Sequence, residues 1–257
     1  MSDRTAPGAG SVDPADHPPI AFPEADWAWF AARCSALLIP DAEQHRPRLE
    51  AIYGHLVGVN RWFNLTRITE PREYLKTHIL DSLVVATDPR LRNAKDDDWC
   101  ADLGSGGGYP GLPLAIWFPR LRWALIDARR RKAEFLQAAG TLTGATVRGV
   151  HLRGAEVATQ AAGVDLRQKC QIVTSRAMAQ AAEVLTEAAP LLKPHGYCLI
   201  FKGPAFDGPE RTAAKAICPR LGYRFVSERR IALDAGDPER VVVVYERLAP
   251  NETNTRR

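Results

Sequence analysis

Between Trp99 and Gly111 the chain reads Trp-Cys-Ala-Asp-Leu-Gly-Ser-Gly-Gly-Gly-Tyr-Pro-Gly. An apolar run ends in an acid, Asp102, and five of the next nine residues are glycine. Helix-like sequence resumes at Leu112. This pattern predicts a strand, a glycine turn and a helix. Glycine lacks a Cβ, so such a turn can take positive φ and let a ligand approach the backbone. The helix N-terminus behind it presents unpaired N–H groups. A turn of this kind holds the polar part of a nucleotide-like molecule.

Two registers compete for the stretch. Gly106, Gly108 and Gly111 satisfy the dinucleotide pattern G-x-G-x-x-G, which a glycine-dense segment also matches by chance. The second register starts at Asp102 and runs acid-x-Gly-x-Gly-x-Gly through Gly104, Gly106 and Gly108 to Tyr109-Pro110-Gly111. It resembles motif I of the class I S-adenosylmethionine (AdoMet) methyltransferases. There the acid ends the first strand, and the glycines make room for methionine and ribose. The third glycine of a dinucleotide site lies inside the helix. Pro110 instead marks the helix as only starting at Gly111, which favours the second register.

The 257 residues allow one large domain or two small ones, and 46% apolar residues suffice for a sizeable core. A net charge of +4 and a pI near 8.9 permit a nucleic-acid partner without requiring one. No apolar run approaches the ~20 residues of a membrane span. The five cysteines, Cys34, Cys100, Cys170, Cys198 and Cys218, form no C-x-x-C pair, which argues against a zinc ribbon. No metal is expected, and cysteine usage suits a reducing cytoplasm. A monomer is expected.

Five prolines before residue 24 predict a disordered tail over 1–23. Helical spacing over 24–95 predicts a helical extension packed on the catalytic domain. In it, a second helix starts near Pro47 and runs toward Trp62, a polar stretch covers 60–68, and Pro71 opens a third helix. From 96 to 248 strands and helices alternate, with strands at 122–127, 146–152, 170–174 and 197–201 and helices at 130–142, 180–192 and 210–221. Two closing strands, 223–227 and 241–245, suit an antiparallel edge hairpin. Residues 249–257 read as a frayed end. The predicted class is α/β: a Rossmann-like, mostly parallel seven-stranded sheet with helices on both faces, as in class I AdoMet-dependent methyltransferases.

Asp127 lies twenty residues after Gly107, where an acid either bonds ribose hydroxyls or caps a helix. Ala155-Glu156 follows the third strand, where a backbone N–H touches adenine in this fold; Glu156 is otherwise an ordinary first-turn acid. In methyltransferases of this class the turn after the fourth strand faces the transferable methyl; here it reads Thr174-Ser175-Arg176-Ala177. Enzymes acting on amino groups carry an acid or Asn before Pro-Pro-aromatic there, and carbon-5 cytosine enzymes carry Pro-Cys. Neither is present. A nucleophile with an in-plane lone pair and no proton, such as guanine N7, needs only orientation. Arg176 there clamps the cofactor carboxylate, holds guanine or a phosphate, or pairs with an acid such as Glu156.

Asn64-Leu-Thr66, His78-Ile-Leu-Asp81-Ser82-Leu83, the stretch from Asp102 to Gly111, Asp127, Lys132 with Phe135-Leu136, Ser175-Arg176-Ala177 and Lys202-Gly203 occur in that order. Together they resemble the bacterial 16S ribosomal RNA guanine-N7 methyltransferases, the glucose-inhibited division protein B family, over roughly residues 49–245. The resemblance implies AdoMet-dependent methylation of a guanine N7 in the 530 loop (guanine-527) of 16S rRNA, free or in a small-subunit precursor. It makes Gly104, Tyr109, Ala155, Glu156 and Arg176 cofactor contacts, joined by Asp102, Gly106, Gly108 and Asp127 from the turn and the second strand. His78 and Asp81, at i and i+3, form either a structural pair or the rim of the methyl pocket, and Asn64 has the same two readings. With Arg176 they are positioning candidates. No general base is assigned, because N7 has no proton to lose. Arg61, Arg67, Lys76, Arg130, Lys132 and Lys202 are candidate RNA contacts. The proline-rich tail lies outside the resemblance. Two other readings are an NAD-dependent oxidoreductase and a non-catalytic RNA-binding protein.

Overall fold

A computed structural model describes residues 10–206 and 208–252. Seven strands form one sheet: β1 (Trp99–Leu103), β2 (Arg122–Asp127), β3 (Thr146–His151), β4 (Cys170–Arg176), β5 (Leu192–Lys202), β6 (Tyr223–Ile231) and β7 (Arg240–Arg247). Their order is β3-β2-β1-β4-β5-β7-β6. The first five run parallel, and β7 pairs antiparallel with both β5 and β6. This is the predicted doubly wound sheet with its edge hairpin. The order reverses between β1 and β4, so the crevice for a ligand lies at the carboxyl ends of those strands.

Nine α-helices occur among the described residues. Five precede the sheet: α1 (Glu24–Ala36), α2 (Ala42–Phe63), α3 (Pro71–Tyr74), α4 (Asp81–Leu83) and α5 (Pro89–Arg92). A π-helical segment, Leu75–Leu80, joins α3 to α4. The others are α6 (Gly111–Trp117), α7 (Arg130–Gly140), α8 (Ala181–Ala188) and α9 (Gly208–Leu221). One apolar cluster packs the helical extension and α6 against one sheet face; a second packs α8 and α9 against the other. All five cysteines are buried and unpaired.

Three local predictions are corrected. Residues 10–23 are not a loose tail: Phe22 is buried between the rings of Trp27, Tyr53 and Tyr74, and the Ile20 N–H donates to the Glu50 carbonyl. Scattered aromatic anchors, which composition does not weigh, hold this strap. Its first nine residues, and 253–257 at the other end, lie outside the described residues. Pro47 sits inside α2 rather than at its start. The turn before it is held by tertiary contacts: Trp27 Nε1 donates to Glu43 at 2.7 Å and the His45 ring lies 4.3 Å from that of Trp117. These offset the helical bond that proline removes. Finally, α8 stops at Ala188 and β5 starts at Leu192, because Pro190 cannot donate and the chain pairs early with Cys170.

Candidate active site

Asp102 ends β1 fully buried. Its Oδ2 accepts from Ser105 Oγ at 2.5 Å and from the Gly111 N–H at 3.1 Å, and its Oδ1 accepts from Thr174 Oγ1 at 2.9 Å. Burial pushes this carboxyl up to about 6 against the pull of those bonds. The carboxylate therefore ties β1, the turn, α6 and β4 together and does not face the groove, which corrects its assignment as a cofactor contact. Gly104 and Gly106 both take the left-handed conformation, with φ of +64° and +60°. A Cβ on Gly104 would lie 2.5 Å from Met178 Cγ, whereas one on Gly106 would meet nothing closer than Lys132 Nζ at 3.7 Å. The turn is thus an open cradle at Gly106, walled by Met178 at Gly104. Gly108 is different: its missing Cβ admits Leu112, so it serves the packing of α6 rather than the groove.

Asp127 stands at the end of β2. Its Oδ2 accepts from the Gly106 N–H at 3.0 Å, and its Oδ1 accepts from the Arg129 N–H at 2.8 Å in the turn that leads into α7, without capping that helix. Each oxygen keeps a lone pair for a further donor. At the third strand, the Ala155 N–H already donates to Glu187 Oε2 at 3.0 Å, the Glu156 N–H bonds the Arg153 carbonyl, and the Glu156 carboxylate accepts from the Arg153 N–H at 2.8 Å. Glu156 is a first-turn acid here, and neither N–H of the pair is open to adenine.

Beside the turn, at the ends of β4 and β5, lies a cleft of about 360 Å³ bordered by Thr77, His78, Asp81, Arg176, Lys202 and Arg240. Arg176 Nη1 donates to the Thr77 carbonyl at 2.6 Å and to Asp81 Oδ2 at 2.9 Å. Its partner is therefore Asp81, not Glu156. Of the two readings of His78 and Asp81, the direct pair is not formed; both are buried and both face Arg176 at the cleft. The π-helical segment widens the turn that carries His78, and such segments gather at functional sites. The His78 ring stacks on Tyr109 with centroids 4.3 Å apart and planes 2° apart. Tyr109 is buried, with its hydroxyl on that of Tyr74.

Guanidinium only donates, so His78 Nδ1, 3.3 Å from Arg176 Nη2, is the acceptor. His78 Nε2 then carries the proton and donates to Thr66 Oγ1 at 2.9 Å. Burial, and next the Arg176 charge, push this imidazole down to about 3. Nitrogen-15 NMR should find His78 neutral, as the Nε2–H tautomer, at pH 5; an imidazolium there would refute this geometry. The ordinary histidine value is ~6.5. Between about 3 and that value the unfolded chain binds more protons at this site, so its contribution to stability is lost as pH falls through the window.

The basic candidates divide. Lys76 pairs with Asp237 at 2.6 Å, Lys202 with Glu210 at 2.6 Å, and Arg130 with Glu134 at 2.8 Å. Arg61 and Arg67 are exposed and make no ion pair among the described residues. Exposed Asn64 ends α2 in a left-handed conformation, φ 46°.

The family model described as rRNA small subunit methyltransferase G matches residues 45–218. The chain belongs to the rRNA small subunit methyltransferase G family. It is 35% identical to the ribosomal RNA small subunit methyltransferase G of Myxococcus xanthus over 84% of this chain and 94% of that one. With the same-named protein of Synechococcus elongatus it shares 36% over 80% and 83%. Among solved structures it is similar to the fibrillarin pre-rRNA processing protein of Methanococcus jannaschii, with 17% identity, a TM-score of 0.47 and coverage of 60% and 69%. The matched region holds the glycine turn, Asp127, His78, Asp81 and Arg176. It stops short of Arg240, which sequence reasoning also missed, since a lone arginine opening a strand carries no local signal. Met178, in the bend after β4, was missed because a lone methionine outside any periodic pattern carries no signal either.

Proposed function

We propose that the chain transfers the methyl group of AdoMet to N7 of a guanine in 16S rRNA, guanine-527 of the 530 loop. The observation that carries this reading is the cleft beside the glycine turn. Its histidine is held neutral, and its carboxylate, Asp81, stands between two arginines. A site without a free base suits a nucleophile that has no proton to lose. The open cradle at Gly106 and the remaining lone pairs of Asp127 fit AdoMet: the turn takes the methionine end and Asp127 the ribose hydroxyls. Bound there, the cofactor supplies a methyl group on a positively charged sulfur. His78, Asp81, Arg176 and Asn64 position the RNA, Tyr109 braces the His78 ring from the cofactor side, and the family membership supports a substrate in small-subunit rRNA. An rRNA substrate supports a cytoplasmic enzyme. No described helix is long and apolar enough to cross a membrane, and no described His/Cys/Asp/Glu group could hold a metal ion.

Mass-spectrometric mapping of 16S rRNA from a deletion strain should show loss of one N7-methylguanine, restored by this chain. An unchanged modification pattern would refute the reading. Calorimetry should show heat with AdoMet and none with NAD; the reverse would favour an oxidoreductase. RNA binding should weaken with salt, each phosphate contact adding about −0.7 to −0.9 to the log–log slope. Arg61→Ala with Arg67→Ala should flatten that slope by about 1.5, measured by filter binding.

A further inference from the structure

We propose that Arg240 and Arg176, on either side of Asp81, form a clamp for a backbone phosphate of the RNA strand that carries the target base. The inference rests on the functional reading above and adds a residue to it.

Asp81 Oδ2 is engaged by Arg176 at 2.9 Å, while its Oδ1 lies 3.1 Å from Arg240 Nε. That second contact is an ion pair without an aligned hydrogen bond: both Asp81 Oδ1 and Arg240 Nε are buried and lack a hydrogen-bond partner. The Arg240 side chain makes no hydrogen bond with a described residue. Two guanidinium groups thus face one carboxylate, and the cleft carries one uncompensated positive charge. Lys202, across the cleft, does not add to it, being held by Glu210 and the Ala179 carbonyl.

The position is built rather than incidental. β7 returns antiparallel along β5, with Val241 opposite Lys202, so its first residue comes up beside the carboxyl end of β5. The loop before Arg240 is tied at three points. Trp29 Nε1 donates to Asp234 at 3.0 Å, Arg33 Nε to the Leu233 carbonyl at 2.8 Å, and Lys76 pairs with Asp237 at 2.6 Å. The helical extension thereby fixes a guanidinium whose one partner is the ion-paired Asp81.

A half-buried guanidinium without a full partner is costly, and its planar fork matches phosphate oxygens. The guanine edge is the poorer occupant. An arginine reads guanine through O6 and N7, and a donor on N7 would cover the atom that must attack. Asp81, which holds both arginines, is a positioning residue.

Arg240→Gln in the full chain tests this. The Michaelis constant for 16S rRNA should rise at least tenfold, with kcat changed less than twofold and AdoMet affinity, by calorimetry, within twofold. The log–log salt slope of RNA binding should flatten by about 0.7 to 0.9, one phosphate. Arg240→Lys should keep the slope, because the charge remains, and recover only part of the Michaelis constant. An unchanged Michaelis constant and slope in a folded Arg240→Gln protein would overturn the clamp. So would weakened AdoMet binding with RNA binding intact, which would place the cofactor carboxylate there. The slope is read from binding alone. If the unsubstituted chain binds RNA but methylates no guanine, the functional reading fails while the clamp is still decided.

Discussion

Gly104→Val is expected to abolish AdoMet binding, with titration heats falling to the dilution baseline. Two effects act together. A β-branched residue at φ +64° is a steric outlier, and such strain costs about 1–3 kcal/mol. The new Cβ would also lie 2.5 Å from Met178 Cγ and 2.9 Å from Met178 Cβ, so that side chain must move and the wall of the cradle with it. The fold should survive, because Asp102 still ties β1 to β4 and α6 from outside the groove. Gly108→Ala is the contrasting variant. Its Cβ meets Leu112 at 2.2 Å, so it should lower the melting temperature through α6 packing. Gly104→Val protein that titrates like the unsubstituted chain would remove the turn from the cofactor site.

Arg176→Ala should cut methyl transfer at least tenfold per folded molecule, about 1.4 kcal/mol of transition-state stabilisation. The side chain joins three groups far apart in the chain: the Thr77 carbonyl, Asp81 and His78. Its loss frees His78 Nδ1 and loosens a ring stacked on Tyr109. Stability should fall as well, because breaking a buried ion pair strands a charge at a cost of about 3–5 kcal/mol. Here the fall should be smaller, since Arg240 remains 3.1 Å from Asp81. Arg176→Lys separates the roles. It keeps a charge for Asp81 and should recover most of the melting temperature, yet it lacks the fork and should not recover transfer. If Arg176→Ala melts early but transfers methyl normally per folded molecule, Arg176 is scaffold only.

Local pattern was enough for the architecture. Alternating apolar strands and helical stripes read as a doubly wound sheet, and Asp102 with its glycines marked the turn at the first strand, because strand period, helix period and positive φ are each set within a few residues. The same logic placed Asp127 and Arg176 at strand ends. It could not say what those side chains meet. Arg176 lies 95 residues from Asp81, Lys76 lies 161 from Asp237, and Trp29 lies 205 from Asp234. Such pairings exist only once the sheet has closed and the edge hairpin has returned to the helical extension. Spacing on one helix put His78 against Asp81, and a π-helical turn with an arginine from β4 separated their roles. Lys76 and Lys202 read as free cations because their acids are distant in the chain. Sequence by itself determined the fold and the glycine turn, since these rest on short-range sterics and periodicity, while the kind of chemistry came from the family resemblance. Only the tertiary structure decided which charges are spent and which stay open at Asp81, because that balance depends on which distant strands and helices end side by side.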